Sequence, residues 1–256
     1  MNVGKILSMI DGIAPFDSQE EWDNSGLLVG SPSADVTGIL FALDLSEPVI
    51  DEAIEKGTSL IVTHHPVMIS PRRQITDADY EGRLISRMIR SGISLIAAHT
   101  NLDRAPGGIN DTLAAASGLS GVTGEGFFRA GNLPHSLPVS VYAAQLSRDL
   151  ACTVRIMGPE NVPVQRIGLS SGGGGDAWAE AVGNGCEAFI TGEMKHHLAL
   201  AAADAGLVVL ECGHFATEFP GIRALAETLQ NQLNQLECNL GIFVSKVPAY
   251  AFLQQP

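Results

Sequence analysis

No cysteine pair at metal or disulfide spacing, no basic run and no hydrophobic stretch of membrane length occurs in these 256 residues. Each absence removes a class. Cys152, Cys186, Cys212 and Cys238 form no CxxC pair, which argues against a disulfide scaffold or a cysteine-rich zinc module and for reduced thiols. Cys186 and Cys212 stand inside apolar runs, where burial is expected. Lys and Arg total 15 against 28 Asp and Glu, a formal charge of −13, so nucleic acid is not an expected partner. No run approaches the roughly 18 apolar residues of a transmembrane helix, so no membrane contact is expected. The opening MNVGKILSMIDGI has helical apolar spacing, includes Asp11 and lacks a small-residue cleavage site. It reads as an amphipathic helix rather than a signal peptide, and the expected compartment is the cytoplasm. Aromatics are scarce at 5%, while glycine is abundant at 28 residues, which suits closely packed α/β layers with short turns.

What is present is an alternation. Gly38 to Leu45 reads as a strand; Ser46 and Pro48 open a helix that runs to Lys56 and is capped by Gly57. Residues 59 to 63 form the next strand, 79 to 91 a helix ended by Gly92, and 93 to 98 another strand. The second half repeats the order, with strands at 165–170, 188–191 and 207–212 and helices at 176–182 and 196–205. Strand and helix in alternation imply largely parallel sheets. A helix at 221–236 and a strand at 240–247 close the chain, the strand returning to one of the two sheets. The expected architecture is two duplicated three-layer α/β/α units. The first is placed at residues 1–130, joined by 221–256, and the second at 131–220, with the proline-flanked stretch 133–138 as the crossing.

The repeat extends to residues. "TSLIVTHHP" answers "CEAFITGEM", and "SGISLIAAHTNLD" answers "AGLVVLECGHFATE". His99 precedes Asp103 as His214 precedes Glu218, so each half is expected to hold one His-x-x-x-acid element.

Polar residues gather after the strands: Asp44, His64, His65, His99, Asp103, Glu193, His214 and Glu218. A strand's C-terminal end is where open α/β sheets place ligands, and its turning backbone lets the adjacent His64 and His65 reach one crevice. Imidazole and carboxylate suit zinc, manganese, iron or nickel, and their number exceeds what one tetrahedral ion needs. Two ions sharing a water are therefore expected. His135, in the expected crossing, is read as a satisfied hydrogen-bonder rather than a ligand. Gly172–Gly175 reads as a sharp turn more readily than as a phosphate loop. His196 and His197 open a helix, where they serve as acid/base, further ligand or simply a solvated helix start. Trp22, before Asn24 and Ser25, reads as a buried anchor for a turn.

With these motifs in hand, "WDNSGLLVG" at 22–30, "THHP" at 63–66, "AAHTNLD" at 97–103, "TGEMKHH" at 191–197 and the "GH" and "TE" of 213–218, the chain resembles the Nif-three-like dinuclear metal-centre family. Its members are called GTP cyclohydrolase I type 2 homologues, and the likeness is to the short bacterial form. The resemblance implies interlocked α/β domains with the metal site between them, two divalent ions per chain and a ring-shaped homohexamer. It implies His64, His65, Asp103, His214 and Glu218 as ligands. His99, Glu193, His196 and His197 are then the candidates for proton transfer. The implied activity is metal-dependent hydrolysis of a small, nucleotide-like molecule. A two-metal phosphatase or phosphodiesterase and a non-catalytic metal-binding or metal-delivery protein are the alternatives.

Overall fold

The amphipathic start is a helix, α1 (Val3–Ile13), that buries Val3, Ile6 and Ile10; the Asn2 side chain caps it by accepting from the Lys5 amide. A computed structural model of the protein describes residues 1–245 and Val247. The chain divides into two compact units, one of residues 1–105 with 222 onward, the other Pro106–Gly221.

In the first unit α1 is followed by β1 (Gly26–Val29), β2 (Gly38–Ala42), α2 (Glu47–Lys56), β3 (Leu60–Thr63), α3 (Tyr80–Ser91), β4 (Ser94–Ala97) and the short α4 (Thr100–Arg104). The helices start and stop on local chemistry. The Ser46 and Asp79 side chains accept from the Val49 and Gly82 amides at the N-caps, while Gly57 and Gly92 take left-handed C-cap geometry. Val49, Ile50 and Ala53 of α2 and Leu84, Ile85 and Met88 of α3 pack on Leu40, Ile61 and Leu95 of the sheet. The alternate positions Ile39, Phe41, Leu60, Val62 and Ile96 are also fully buried, so both sheet faces are covered.

The second unit holds α5 (Ile109–Ala116), β5 (Ser120–Thr123), β6 (Arg129–Pro138), α6 (Val139–Asp149), β7 (Arg155–Met157), β8 (Pro163–Ser170), α7 (Trp178–Gly183), β9 (Ala188–Thr191), α8 (His196–Asp204) and β10 (Val208–Glu211). Its sheet runs β5-β6-β8-β9-β10-β7, with β8-β9-β10 parallel and the outer pairings antiparallel. Leu113 of α5 and Tyr142 and Leu146 of α6 pack on one face against Ile167, Ile190 and Leu210. Ala181 of α7 and Ala199 and Ala202 of α8 pack on the other, against Phe189 and Val209. This is an α/β/α sandwich with one layer of helices per face.

The chain closes with α9 (His214–Gln235) and β11 (Gly241–Val244). The strand pairs in parallel with β2, giving a first sheet ordered β1-β4-β3-β2-β11 in which the β1–β4 pairing is antiparallel. Within each unit three consecutive strands lie side by side in parallel, β2-β3-β4 and β8-β9-β10, and an antiparallel strand borders the third. The duplicated unit read from sequence is thus present in the folded chain.

The structure corrects several expectations. Residues 133–138 are no crossing: they are the outer half of β6, whose pairing with β8 slips between Asn132 and Leu137. Prolines are tolerated there because an irregular pairing leaves some amides without a ladder bond to donate. His135 is accordingly an exposed strand residue. The division between units falls at 105/106 rather than near 130, since α5 packs on β8 and β6 of the second sheet. The last helix begins at His214, seven positions before 221. Of the stretch 240–247, the strand occupies Gly241–Val244, and Lys246 lies outside the described residues. Cys186 and Cys212 are buried as expected. Among the described residues, no helix is long and apolar enough to cross a membrane.

Candidate functional site

In the first unit the ends of β3 and β4 bring three imidazoles together. The backbone turns directly after Thr63: the His64 and His65 amides both bond the Leu43 carbonyl, and the Thr63 hydroxyl donates to the His65 carbonyl at 2.8 Å. His64 and His65 therefore do not alternate across a strand, and their ring centroids lie 4.9 Å apart. His99 completes the group, 5.0 Å from the His64 ring and 5.5 Å from the His65 ring. One ligand-type nitrogen from each of the three lies within 4.8 Å of the others.

Each imidazole is held through the same nitrogen. His64 Nδ1 lies 2.8 Å from the Ala98 carbonyl, His65 Nδ1 2.7 Å from Asp44 Oδ1, and His99 Nδ1 2.8 Å from Asp23 Oδ1. A carbonyl or an ionised carboxylate accepts only, so in a neutral ring the proton sits on Nδ1 and Nε2 keeps its lone pair. Holding one nitrogen to aim the other is how metal-ligating histidines are oriented. His64 is fully buried, and its Nε2 faces Asp103 Oδ1 at 3.5 Å. Asp103 sits in α4, where its amide bonds the His99 carbonyl at 3.0 Å.

Asp23 fastens this corner. Its carboxylate accepts from the Asn24 amide, the Ser25 hydroxyl, His99 Nδ1, and the Thr100 amide and hydroxyl. Burial alone would raise its pKa. The hydrogen bonds from His99 and Thr100, with His99's charge and the Asn24 amide, outweigh it and hold the acid well below the usual carboxylate range.

In the second unit His214 and Glu218 are one turn apart on α9, with His214 Nε2 3.2 Å from Glu218 Oε1. Glu193, after β9, stands with Oε1 3.3 Å from His214 Nδ1. Glu218 is buried, whereas Glu193 is exposed. Two glycines, Gly172 and Gly192, are placed against this pair. A Cβ on Gly172, whose φ is +54°, would collide with Glu218 Oε1 and come within 3.0 Å of His214 Nε2. The Gly172 amide donates to Thr217 Oγ1, itself on the same turn of α9. Gly192 is equally confined, its missing Cβ lying 2.9 Å from the His214 Cα. Within the run, Gly172 is the close approach of backbone to the His214–Glu218 pair, whereas Gly174 and Gly175 face Ser170 and the Glu193 carbonyl and Gly173 meets no atom within 4 Å.

His196 and His197 open α8 as exposed side chains and belong to no cluster of three ligand-type groups among the described residues. The two His-x-x-x-acid elements are out of step. Thr63 pairs with Ala97 as Thr191 pairs with Glu211, so His99 matches Gly213, and His214 matches Thr100. The first helical bonds agree: the Asp103 amide bonds the His99 carbonyl, and the Thr217 amide bonds that of Gly213. Asp103 and Glu218 are therefore not equivalent positions of the repeat. Sequence reasoning also missed Asp23 as the holder of His99; its spacing from His99 carries no local signal. It misplaced Trp22, which is 58% exposed rather than a buried anchor.

The donor chemistry fits divalent cations: imidazole nitrogens with Nδ1 occupied and buried carboxylates, with no thiolate among them. The Duf34/NIF3 (NGG1p interacting factor 3) family model matches residues 1–249. The chain belongs to the Duf34/NIF3 family. A Clostridium perfringens relative named GTP cyclohydrolase 1 type 2 homolog is 34% identical over 91% of this chain and 93% of its own. One of the same name from Clostridium acetobutylicum is 30% identical over 96% of each. The crystal structure of Staphylococcus aureus protein SA1388 superposes with a TM-score of 0.93 at 27% identity, covering 98% of both chains. This Duf34/NIF3 chain thus matches the two Clostridium relatives over nearly its full length and shares its fold with the Staphylococcus aureus protein.

Proposed function

We propose that this protein is a cytoplasmic dinuclear metal-binding hydrolase acting on a nucleotide-like small molecule, and that it works as a homohexamer. The reading is carried by one observation: three clustered imidazoles, each with Nδ1 engaged by an acceptor, beside the buried Asp103 carboxylate. An apolar or merely structural strand end has no need of three such nitrogens. The names of the Clostridium relatives support the substrate class.

In this reading His64, His65, Asp103, His214 and Glu218 would be the metal ligands. Two divalent ions held by these residues, such as zinc, iron, manganese or nickel, would supply Lewis acidity and activate water near neutral pH. The chain's own residues do the rest. Asp44 fixes the tautomer of His65, and Ala98 that of His64, so that no ring must reorient. Glu193, on the Nδ1 side of His214, orients that ring. His99, held by Asp23 and half-buried, is the group best placed to pass a proton to or from a bound substrate. His196 and His197, exposed at a helix start, serve at most an outer acid/base role.

The test is a screen of metal-loaded protein against nucleoside triphosphates, cyclic nucleotides and phosphoesters, with Asp103→Ala alongside. Metal-dependent turnover of a ring-containing nucleotide, abolished in the variant, is the expected result. Full turnover by metal-free protein would refute the mechanism. Occupied sites with no turnover on the panel would favour the metal-binding or delivery role instead.

A further inference from the structure

Trp22 is a large apolar ring left 58% exposed. Its environment is far from loose. The next residue, Asp23, has a fully buried side chain that accepts hydrogen bonds from Asn24, Ser25, His99 and Thr100. Asn24 Nδ2 donates to the Met68 carbonyl at 2.7 Å, and the Ser25 hydroxyl accepts from the His99 amide at 3.1 Å. The ring is displayed from a corner whose backbone is over-determined. Its centroid lies 5.9 Å from that of His99, edge-on at 76°, and His99 in turn touches the His64 and His65 rings. Ile69, on the segment that Asn24 fastens, is 44% exposed as well.

What sets this indole apart from a scattered surface residue is its place: a π face held beside the histidine cluster and more than half open. We propose that Trp22 is the stacking platform for a planar heteroaromatic group, a purine-type base, carried by the molecule that reacts beside His99. This rests on the hydrolase reading and deepens it by assigning the base to this ring. Stacking suits the electrostatics, because a π face recognises a base without needing a basic surface, and this chain has a net charge of −13. His99 then has two neighbours of different kind: Asp23 fixes its Nδ1, and Trp22 lines the approach to its ring.

The chain has two tryptophans. In the full-length, metal-loaded Trp178→Phe variant, Trp22 is the sole indole reporter. Titration with GMP and AMP should quench its emission saturably, whereas ribose 5-phosphate, the anion without the base, should not. By calorimetry, Trp22→Ala should bind GMP at least about tenfold more weakly. Trp22→Phe should stay within about threefold of the unmodified protein, and metal content should be unchanged in both. Three results each overturn the assignment: no base-dependent quenching, equal GMP affinity in Trp22→Ala, or an indole shielded from acrylamide before any nucleotide is added. The last would mean that a second copy of the chain covers the ring. Base-dependent quenching in a protein that holds no metal would refute the hydrolase reading while leaving the platform standing. A metal-loaded, hydrolytic but base-blind protein would do the reverse.

Discussion

The imidazole of His64 is fully buried with Nδ1 2.8 Å from the carbonyl oxygen of Ala98. That single bond decides which nitrogen keeps the proton. A buried neutral histidine with Nδ1–H spent on the backbone presents Nε2 as a ligand, and Asp103 lies on that side. Asp44 imposes the same choice on His65, through a side chain that can be changed without touching the ligand itself.

Asp44→Asn should therefore weaken metal binding while leaving the fold intact. Loss of an orienting carboxylate behind a metal-bound imidazole typically costs about 10- to 100-fold in affinity. Competition against a chelating dye reads the change directly. Equal affinity in the variant would show that His65 needs no orientation, or is no ligand.

Gly172→Ala places a methyl against Glu218 Oε1 at a residue with φ +54°. Backbone strain in the left-handed region and overpacking add, so a loss of at least about 2 kcal/mol in urea unfolding is expected. Metal content should fall too, because Glu218 or His214 must move. Gly173, with no atom within 4 Å of its would-be Cβ, is the control: Gly173→Ala should behave as the unmodified protein.

Asp23 gives a pH signature. Its folded pKa lies well below the ordinary carboxylate value of about 3.9, because hydrogen bonds from His99 and Thr100 overcome the opposing effect of burial. The stability this contributes is present above that ordinary value and is lost as pH falls below it, where the unfolded chain binds the proton first. Asp23→Asn should be destabilised at pH 7, and the gap to the unmodified protein should narrow on acidification toward pH 3. Urea midpoints at the two pH values test this; a constant gap would assign the loss to packing alone.

The repeated strand order was legible because short β-branched runs and capping residues are local signals, as at Ser46, Asp79, Gly57 and Gly92. Of the cluster, the His64–His65–His99 grouping follows from strand ends in a parallel sheet, and His214 and Glu218 are brought within 3.2 Å by one helical turn. Other features have no local signature. The one-residue offset between Asp103 and Glu218 depends on hydrogen-bonded register, which a side-by-side reading of two similar segments does not contain. The Asp23–His99 bond joins residues 76 positions apart. The exposure of Trp22 depends on what lies beyond it in space, whereas apolarity alone argues for burial. The outer half of β6, read as a crossing because of Pro134 and Pro138, shows proline permitted where the pairing is irregular.

The measurement that tests the central claim most directly is metal content per chain, by elemental analysis of untagged protein purified without chelator, with Asp103→Ala beside it and circular dichroism as a folding control. The account predicts close to two divalent ions per chain, falling sharply in a variant that remains folded. Substoichiometric metal that the substitution leaves unchanged would contradict it.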